Sequence, residues 1–449
     1  MALDRDWQRD EIVLRLTGQN VTRRCKDYTV KTSVFSQPCT FTVHLGEQVS
    51  AVDILSKHKP GDPFELRIQR LTPGETSLYD IDEPLQTGRL DAVDVPDSQE
   101  TTIEIRGRDT IAALFDSYFI QEAAFTEATY YDLTVKQLEA VGFIPATDWL
   151  FTGEVGREKA ITNKGGGVRL EPKPAAEEES VDEYLVWKPN SGGTGASMQR
   201  VTIPIPKATT PSKDAQGVQV EAATGGQPEV TLKTLKARVG QQRYAWLKEQ
   251  YKRVGLFLWA TPAGQFILST PNSSQEPAFR LQRLRDGTPG DNNILSGGRR
   301  NDTVRRYSHT LVYGRAGGGA DGRRRIVGEF VDEEMVEWGL IKQISYEEQD
   351  VKTQKAADTL ARRYGLEARR SSRSLVYTVP GHTAPSLIQP GQSFPYYVNT
   401  MAHVVDQKYG IDGVYYVSEV EFRRQPQSTS VITLLWPEDL DFAEGDPKR

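Results

Sequence analysis

From Glu11 to Arg106 the chain alternates apolar and polar residues in short runs, and this period of two constrains the fold more than any other feature. In EIVLRLTG, Ile12, Leu14 and Leu16 face one way while Arg15 and Thr17 face the other. YTVKTSV repeats the period with Tyr28, Val30, Thr32 and Val34, FTVHLG with Phe41, Val43 and Leu45, PFELRIQR with Phe64, Leu66 and Ile68, and TTIEIRG with Ile103 and Ile105. Gly, Pro and Asp separate the runs. This pattern predicts antiparallel strands with one buried face. Five or six of them in so short a length suit a small barrel or sandwich. After Gly107 and Arg108 the period changes. Ile111, Leu114, Phe115 and Tyr118 follow at helical spacing, with Asp109 placed to cap the helix.

The middle of the chain is irregular. From about 145 to 230, KGGG, KPAAEEES, KPNSGGTGAS and ATGGQPE are loop-like, and the acidic run Glu177 to Glu179 reads as a solvated loop. EYLVWK and MQRVTIPIP interrupt them, so the segment is expected to be an insertion with a few strands. Regular pattern returns near Thr231. Tyr244, Leu247, Tyr251 and Val254 mark one helical face that Gly255 ends, and LFLWATPAGQFILSTP predicts two strands around TPAG. Further on, RRYSHTLVYGRA and RRRIVGEFVD predict two strands around AGGGADG. Asp350 is expected to cap a helix with Ala357, Leu360, Ala361 and Tyr364 in one stripe, ended by Gly365. SLVYTVPG, GQSFPYYV, GVYYVSEVEFRR and STSVITLLWP predict closing strands.

The expected fold class is mainly β with α/β insertions: two small β-barrel domains plus a helix-hairpin module. The expected domains are an N-terminal β-barrel over 1–118, a connecting helix and irregular insertion over 119–230, a small α/β module over 231–298, and a C-terminal β-barrel with one helix over 299–449.

Composition excludes several function classes. Net charge is -6, from 55 Lys+Arg against 61 Asp+Glu, which rules out a broadly basic coat for nucleic acid. No apolar run approaches about 18 residues, so no membrane segment is expected. The charged start MALDRDWQRDE lacks the apolar core of a signal peptide, which leads us to expect synthesis in the cytoplasm. The 2 cysteines are too few for a disulfide framework. Cys25, Cys39, His44 and His58 lack the close pairing of zinc ligands, so no metal is expected. GRAGGGADGRRR is glycine-rich and basic, but strands flank it on both sides where a phosphate loop needs a following helix. EFVDEEMVEW and WPEDLDFAEGD are dense in carboxylates without a supporting catalytic motif. We therefore expect no enzyme, no catalytic residue and no cofactor. The paired arginines at 299–300, 305–306, 323–325, 362–363 and 369–370 are suited to bidentate pairing with such acidic runs, within a subunit or between subunits.

Four stretches, taken in order, resemble a known family. They are TGRLDAVDV with TTIEIRGRDTIAALFDSYF; KTLKARVGQQRYAWLKEQYKRVGLFLWATPAGQFILSTP; NNILSGGRRNDTVRRYSHTLVYGRA; and KTQKAADTLARRYGLEARRSSRSLVYTVPGH. In this order the chain resembles the baseplate hub proteins of contractile-tailed, Mu-like phages, which are related to the hub part of type VI secretion spike proteins. The insertion at 145–230 departs from that pattern.

The resemblance implies a virion structural protein of the tail baseplate. Three chains would form a homotrimeric ring with two related barrels per subunit, joining the sixfold tail tube to the threefold central spike. Implied partners are the chain itself, the central spike protein, a tail tube protein or tube adaptor, and baseplate wedge proteins. DNA would pass through the lumen without specific binding. On that reading the strand edges at Ile12, Leu14 and Leu16, and at Val414 and Tyr416, are candidate subunit or tube contacts. Arg305, Arg306, Arg323, Arg324 and Arg325 are candidates for fixing register between subunits. The alternatives are a hub of a non-contractile tail or injection device, a tail-tip cell-wall hydrolase, and a receptor- or carbohydrate-binding tail component. In the last, Trp187 is the better sugar platform and Trp259 is expected in the core.

Overall fold

The structure is a computed structural model that describes residues 10–21, 25–46, 54, 57–71, 79–95, 102–125, 130–143, 181–189, 196–204, 235–252, 255–286, 292–315, 325–348, 351–389, 391–425 and 427–440, with 181–189 and 196–204 described by backbone alone. The chain is mainly β. Its first part comprises β1 (Asp10–Leu16), β2 (Gln19–Asn20), β3 (Cys25–Ser33), β4 (Thr40–Leu45), β5 (Pro63–Leu71), β6 (Tyr79–Asp94) and β7 (Ile103–Asp109), all within the stretch of alternating residues. The alternation decides the faces: Ile12, Leu14, Leu16, Tyr28, Val30, Phe41, Val43, Leu45, Phe64, Leu66, Ile68, Ile103 and Ile105 are all buried. Then α1 (Ala112–Phe115) makes a single turn. Asp109 does not cap it; it is the last residue of β7, and its Oδ2 accepts the Cys39 N–H at 3.2 Å.

Next come β8 (Ala123–Phe125), α2 (Tyr130–Glu139), β9 (Val181–Pro189), β10 (Ala196–Pro204), β11 (Leu235–Ala237) and α3 (Arg243–Lys252). β9 and β10 are two of the strands expected within the insertion and pair antiparallel; the side chain of Trp187 and residues 177–179 lie outside the described residues. Tyr244, Leu247 and Tyr251 are the buried face of α3. Val254 lies outside the described residues, and Gly255 takes φ +74 just after the helix, which side chains with a Cβ rarely adopt. β12 (Phe257–Ala260) and β13 (Phe266–Ser269) form the expected hairpin, and Trp259 is buried.

The last part holds β14 (Pro277–Arg283), β15 (Ser296–Asn301), β16 (His309–Arg315), β17 (Arg325–Val331), α4 (Glu333–Glu337), β18 (Gln343–Glu347), α5 (Gln354–Ser372), β19 (Arg373–Pro380), β20 (Thr383–Pro385), β21 (Ser393–Pro395), β22 (Thr400–Asp406), β23 (Ile411–Arg424) and β24 (Ser428–Leu435), then a 3-10 turn at Pro437–Leu440. Asp350 and residues 316–324 lie outside the described residues. Thr353 caps α5, its side chain accepting the Ala356 N–H. The expected stripe of Ala357, Leu360, Ala361 and Tyr364 is buried against β16 and β17. The helix does not stop at Gly365 but runs to Ser372. Gly365 is small because the Phe330 ring lies where its Cβ would be.

Among the described residues, thirteen strands join in one hydrogen-bonded sheet, in the order β15-β19-β24-β23-β3-β4-β7-β6-β5-β1-β2, with β22 on β23 and β14 on β22. The seam between the two β-rich parts is β3 against β23, antiparallel from Tyr28↔Arg424 to Ser33↔Glu419. No pairing of β1 or β2 with β3 closes the run β3-β4-β7-β6-β5-β1-β2 among the described residues; the free edge of β3 is covered by β23. β14, which the sequence places in the α/β module, pairs in parallel with β22. One core cluster spans both parts, from Ile12 and Phe41 to Val420, Phe422 and Leu434.

The β16–β18 sheet carries α5 at close range. A Cβ on Gly328 would lie 2.1 Å from the Ala357 backbone carbon. Gly328→Val is expected to push α5 off β17 and lower stability by about 3 kcal/mol or more in a urea melt. An unchanged melt would show that helix and strand can separate freely.

Candidate assembly surface

Helix α5 delivers its last turn, and the start of β19, to a cluster of guanidinium and carboxylate groups. Arg306 and Asp332 are each about 1% exposed. They pair bidentately, Nε donating to Oδ2 at 2.7 Å and Nη2 to Oδ1 at 2.9 Å. Arg306 Nη2 also reaches Glu334 Oε2 at 2.5 Å. Arg299 Nη2 donates to Glu334 Oε1 at 2.6 Å and Arg373 Nη1 to Glu334 Oε2 at 3.2 Å. Arg373 in turn pairs with Asp439, at 2.7 and 2.8 Å, and with Glu438 at 3.0 Å. Arg369 Nε lies 2.8 Å from Asp439 Oδ1. The Trp338 ring lies under Arg306 and the Trp436 ring under Arg373. Burial alone would raise the Glu334 carboxyl, but Arg306, Arg299 and Arg373 hold it below its usual range.

This network ties the β16–β18 module to the large sheet within one chain. It uses the carboxylate-rich runs EFVDEEMVEW and WPEDLDFAEGD as partners for the arginine pairs. Sequence singled out both sides; Arg373 was missed because it stands alone in RSSRSLVY.

A second cluster joins the two β-rich parts. Arg70 Nε donates to Asp10 Oδ1 at 2.7 Å, while the His382 N–H and Thr383 Oγ1 donate to Asp10 Oδ2. The buried His382 ring meets Tyr28 OH at 2.7 Å and Ser430 Oγ at 3.0 Å.

The sequence-predicted contact residues divide. Ile12, Leu14, Leu16 and Tyr416 are buried in this chain's own core, so their side chains are not surface groups. The edge of β1 away from β5 is also partly taken: the Asp10 carbonyl accepts Ser428 Oγ and the Leu14 carbonyl accepts the Val21 N–H. Val414 is exposed on β23, opposite His403. Arg305 is exposed, whereas Arg306 is committed within the chain because a buried guanidinium needs its carboxylates close by. Arg323 and Arg324 lie outside the described residues, and only the backbone of Arg325 is described, paired with Arg315.

Sequence reasoning missed an apolar ribbon beside the first network. Val304 (71%), Trp338 (42%), Leu340 and Ile341 (65%) are exposed. Lys342 Nζ donates to the Val304 carbonyl and so holds the two segments together. The signal was present as WGLI, an apolar run between α4 and β18. β18 pairs with β16 alone among the described residues, leaving its other edge open. An open strand edge beside exposed apolar side chains is suited to contact with another protein.

No protein-family model matches the chain, and no curated protein matches it in sequence. Its structure is similar to the tail protein from Neisseria meningitidis MC58, with a TM-score of 0.60 at 15% identity over 96% of this chain and 99% of that one. It is also similar to the 43 kDa tail protein of prophage MuSo2 from Shewanella oneidensis, with a TM-score of 0.56 at 17% identity over 96% and 100%. An E. coli component of the type VI secretion system aligns with a TM-score of 0.42 at 10% identity over 94% and 76%. The chain thus has the mainly β fold of phage tail proteins.

Proposed function

We propose that this chain is a structural hub protein of a phage tail baseplate. Three copies form a ring that joins the sixfold tail tube to the threefold central spike and surrounds the DNA passage. The observation that carries this reading is the shared fold over the full length of two tail proteins. The β3–β23 seam supports it, because two β units held in one sheet present a fixed pair to a ring. A trimer closes through repeated heterologous contacts, and we assign one side of that contact to the ribbon at Val304, Trp338 and Ile341. The partners are further copies of the chain, the spike, the tube or its adaptor, and wedge proteins. The lumen holds DNA without specific binding, and the place of action is the virion.

The hydrolase alternative is disfavoured at the carboxylates of the arginine network. Asp332, Glu334, Glu438 and Asp439 are all engaged by arginines, and a Glu334 held below its usual range is a poor general acid.

Light scattering over a concentration series tests the proposal. The expected mass is three times the 50.2 kDa of one chain. Trp338→Asp with Ile341→Asp is expected to weaken association roughly tenfold or more. A wild-type chain that stays monomeric at every concentration overturns the self-closing ring.

A further inference from the structure

We propose that a small cavity between α3, α5 and β12 receives one acidic side chain, aspartate or glutamate, from a partner polypeptide. Its walls include the rings of Phe35, Tyr251 and Phe257. Among the described residues its charged lining is Lys248, Lys252, Arg363 and Arg370 against one acid, Glu367. Lys252 Nζ lies 2.9 Å from Glu367 Oε2 and 4.5 Å from the centre of the Tyr364 ring. The Arg370 guanidinium carbon sits 3.7 Å from the centre of the Phe35 ring and 5.1 Å from that of Phe257. The two rings meet edge to face, their centres 4.9 Å apart, so the guanidinium lies against both at one wall of the cavity, with its N–H donors in its own plane.

Size selects the occupant. The cavity holds about 60 Å³, far below the roughly 300 Å³ at which pockets for nucleotides, sugars or drug-sized ligands begin. It has room for a carboxylate on one or two methylenes, whose stem would lie against the Phe35 and Phe257 rings. Charge selects the sign, since the described lining carries more cations than anions. Burial pulls the Arg370 guanidinium down to about 10, with Glu367, Tyr416 and Asp439 pushing it back up. An incoming carboxylate would add to that push. Lys248 is exposed at the rim, where it can meet the acid on its way in.

The proposal rests on the cavity and not on the ring, so the failure of one leaves the other standing. The probe is N-acetylglutamate amide, titrated against the full chain at constant ionic strength and read as a shift in melting temperature. A saturable rise is expected, with none from N-acetylglutamine amide. Lys248→Glu is expected to weaken the response roughly fivefold or more, and Arg370→Met to abolish it. Should the buried Arg370→Met variant not fold, the exposed Lys248→Glu variant decides. An equal response to the glutamine probe would mean apolar contact only, and an equal response to inorganic phosphate a site for any anion. Either result, or no shift with the glutamate probe, overturns the proposal.

Discussion

Asp332→Ala is expected to lower the stability of the β16–β18 module by about 3 kcal/mol, the low end of the range for breaking a buried ion pair. The substitution strips both bidentate bonds from Arg306, a guanidinium about 1% exposed. Glu334 remains at 2.5 Å, which keeps the loss at the low end. The companion experiment replaces both partners, Arg306→Met with Asp332→Leu. Removing both charges eliminates the desolvation cost as well as the attraction, so most of the lost stability should return. Hydrogen exchange of the β16, β17 and α5 amides under mild urea reads this module apart from the rest of the chain. A loss below about 1 kcal/mol in the single variant would show that water already reaches Arg306.

The second large effect is a pair of opposed pH limbs. Burial lowers the His382 pKa to about 4, with Asp10 raising it and Arg424 lowering it further. As pH falls from about 6.5 to about 4, the unfolded chain takes up a proton that the folded chain refuses. Stability therefore drops by roughly 3 kcal/mol at about 1.4 kcal/mol per unit. Burial raises the Asp109 pKa to about 7, against the hydrogen bond from Cys39 and the charge of Arg108. As pH rises from about 4 to about 7, the unfolded chain releases a proton that the folded chain keeps, so stability drops by up to about 4 kcal/mol. In the native chain the two limbs offset each other. His382→Gln should leave stability falling with rising pH, and Asp109→Asn should leave it rising. Urea melts at several pH values give the two slopes, and slopes of the same sign in both variants would refute the account.

The strands, the α3 face and the α5 stripe were legible because each is encoded locally, by a period of two or of 3.6. Ile12, Leu14 and Leu16 show the limit of that legibility. Their alternation says that one face is buried but not which strands cover it, and it cannot tell an edge from an interior strand. Asp10 and His382 stand 372 positions apart, and no local period announces such a pair. The arginine and acidic runs were visible as opposite charges, but only their burial together showed that they meet within one chain. Gly365 misled for a physical reason: a glycine that ends a helix and a glycine that admits a neighbouring ring look alike in sequence. The Val304–Ile341 ribbon escaped because its apolar residues lie on two segments joined by a lysine contact.

The β3–β23 seam also sets a schedule for synthesis. Thr32 donates its hydroxyl proton to the carbonyl of Val420, 388 positions further along the chain. At about 5 to 20 residues per second, a ribosome needs roughly 20 to 80 s to bridge that gap. Throughout this interval the nascent N-terminal part carries the edge of β3 without the strand that covers it. Many copies made at once on neighbouring ribosomes would present that same edge to one another. The chain's most exposed moment is therefore its own translation, and agents that shield strand edges during that minute should raise the soluble yield more than agents that stabilise the finished fold.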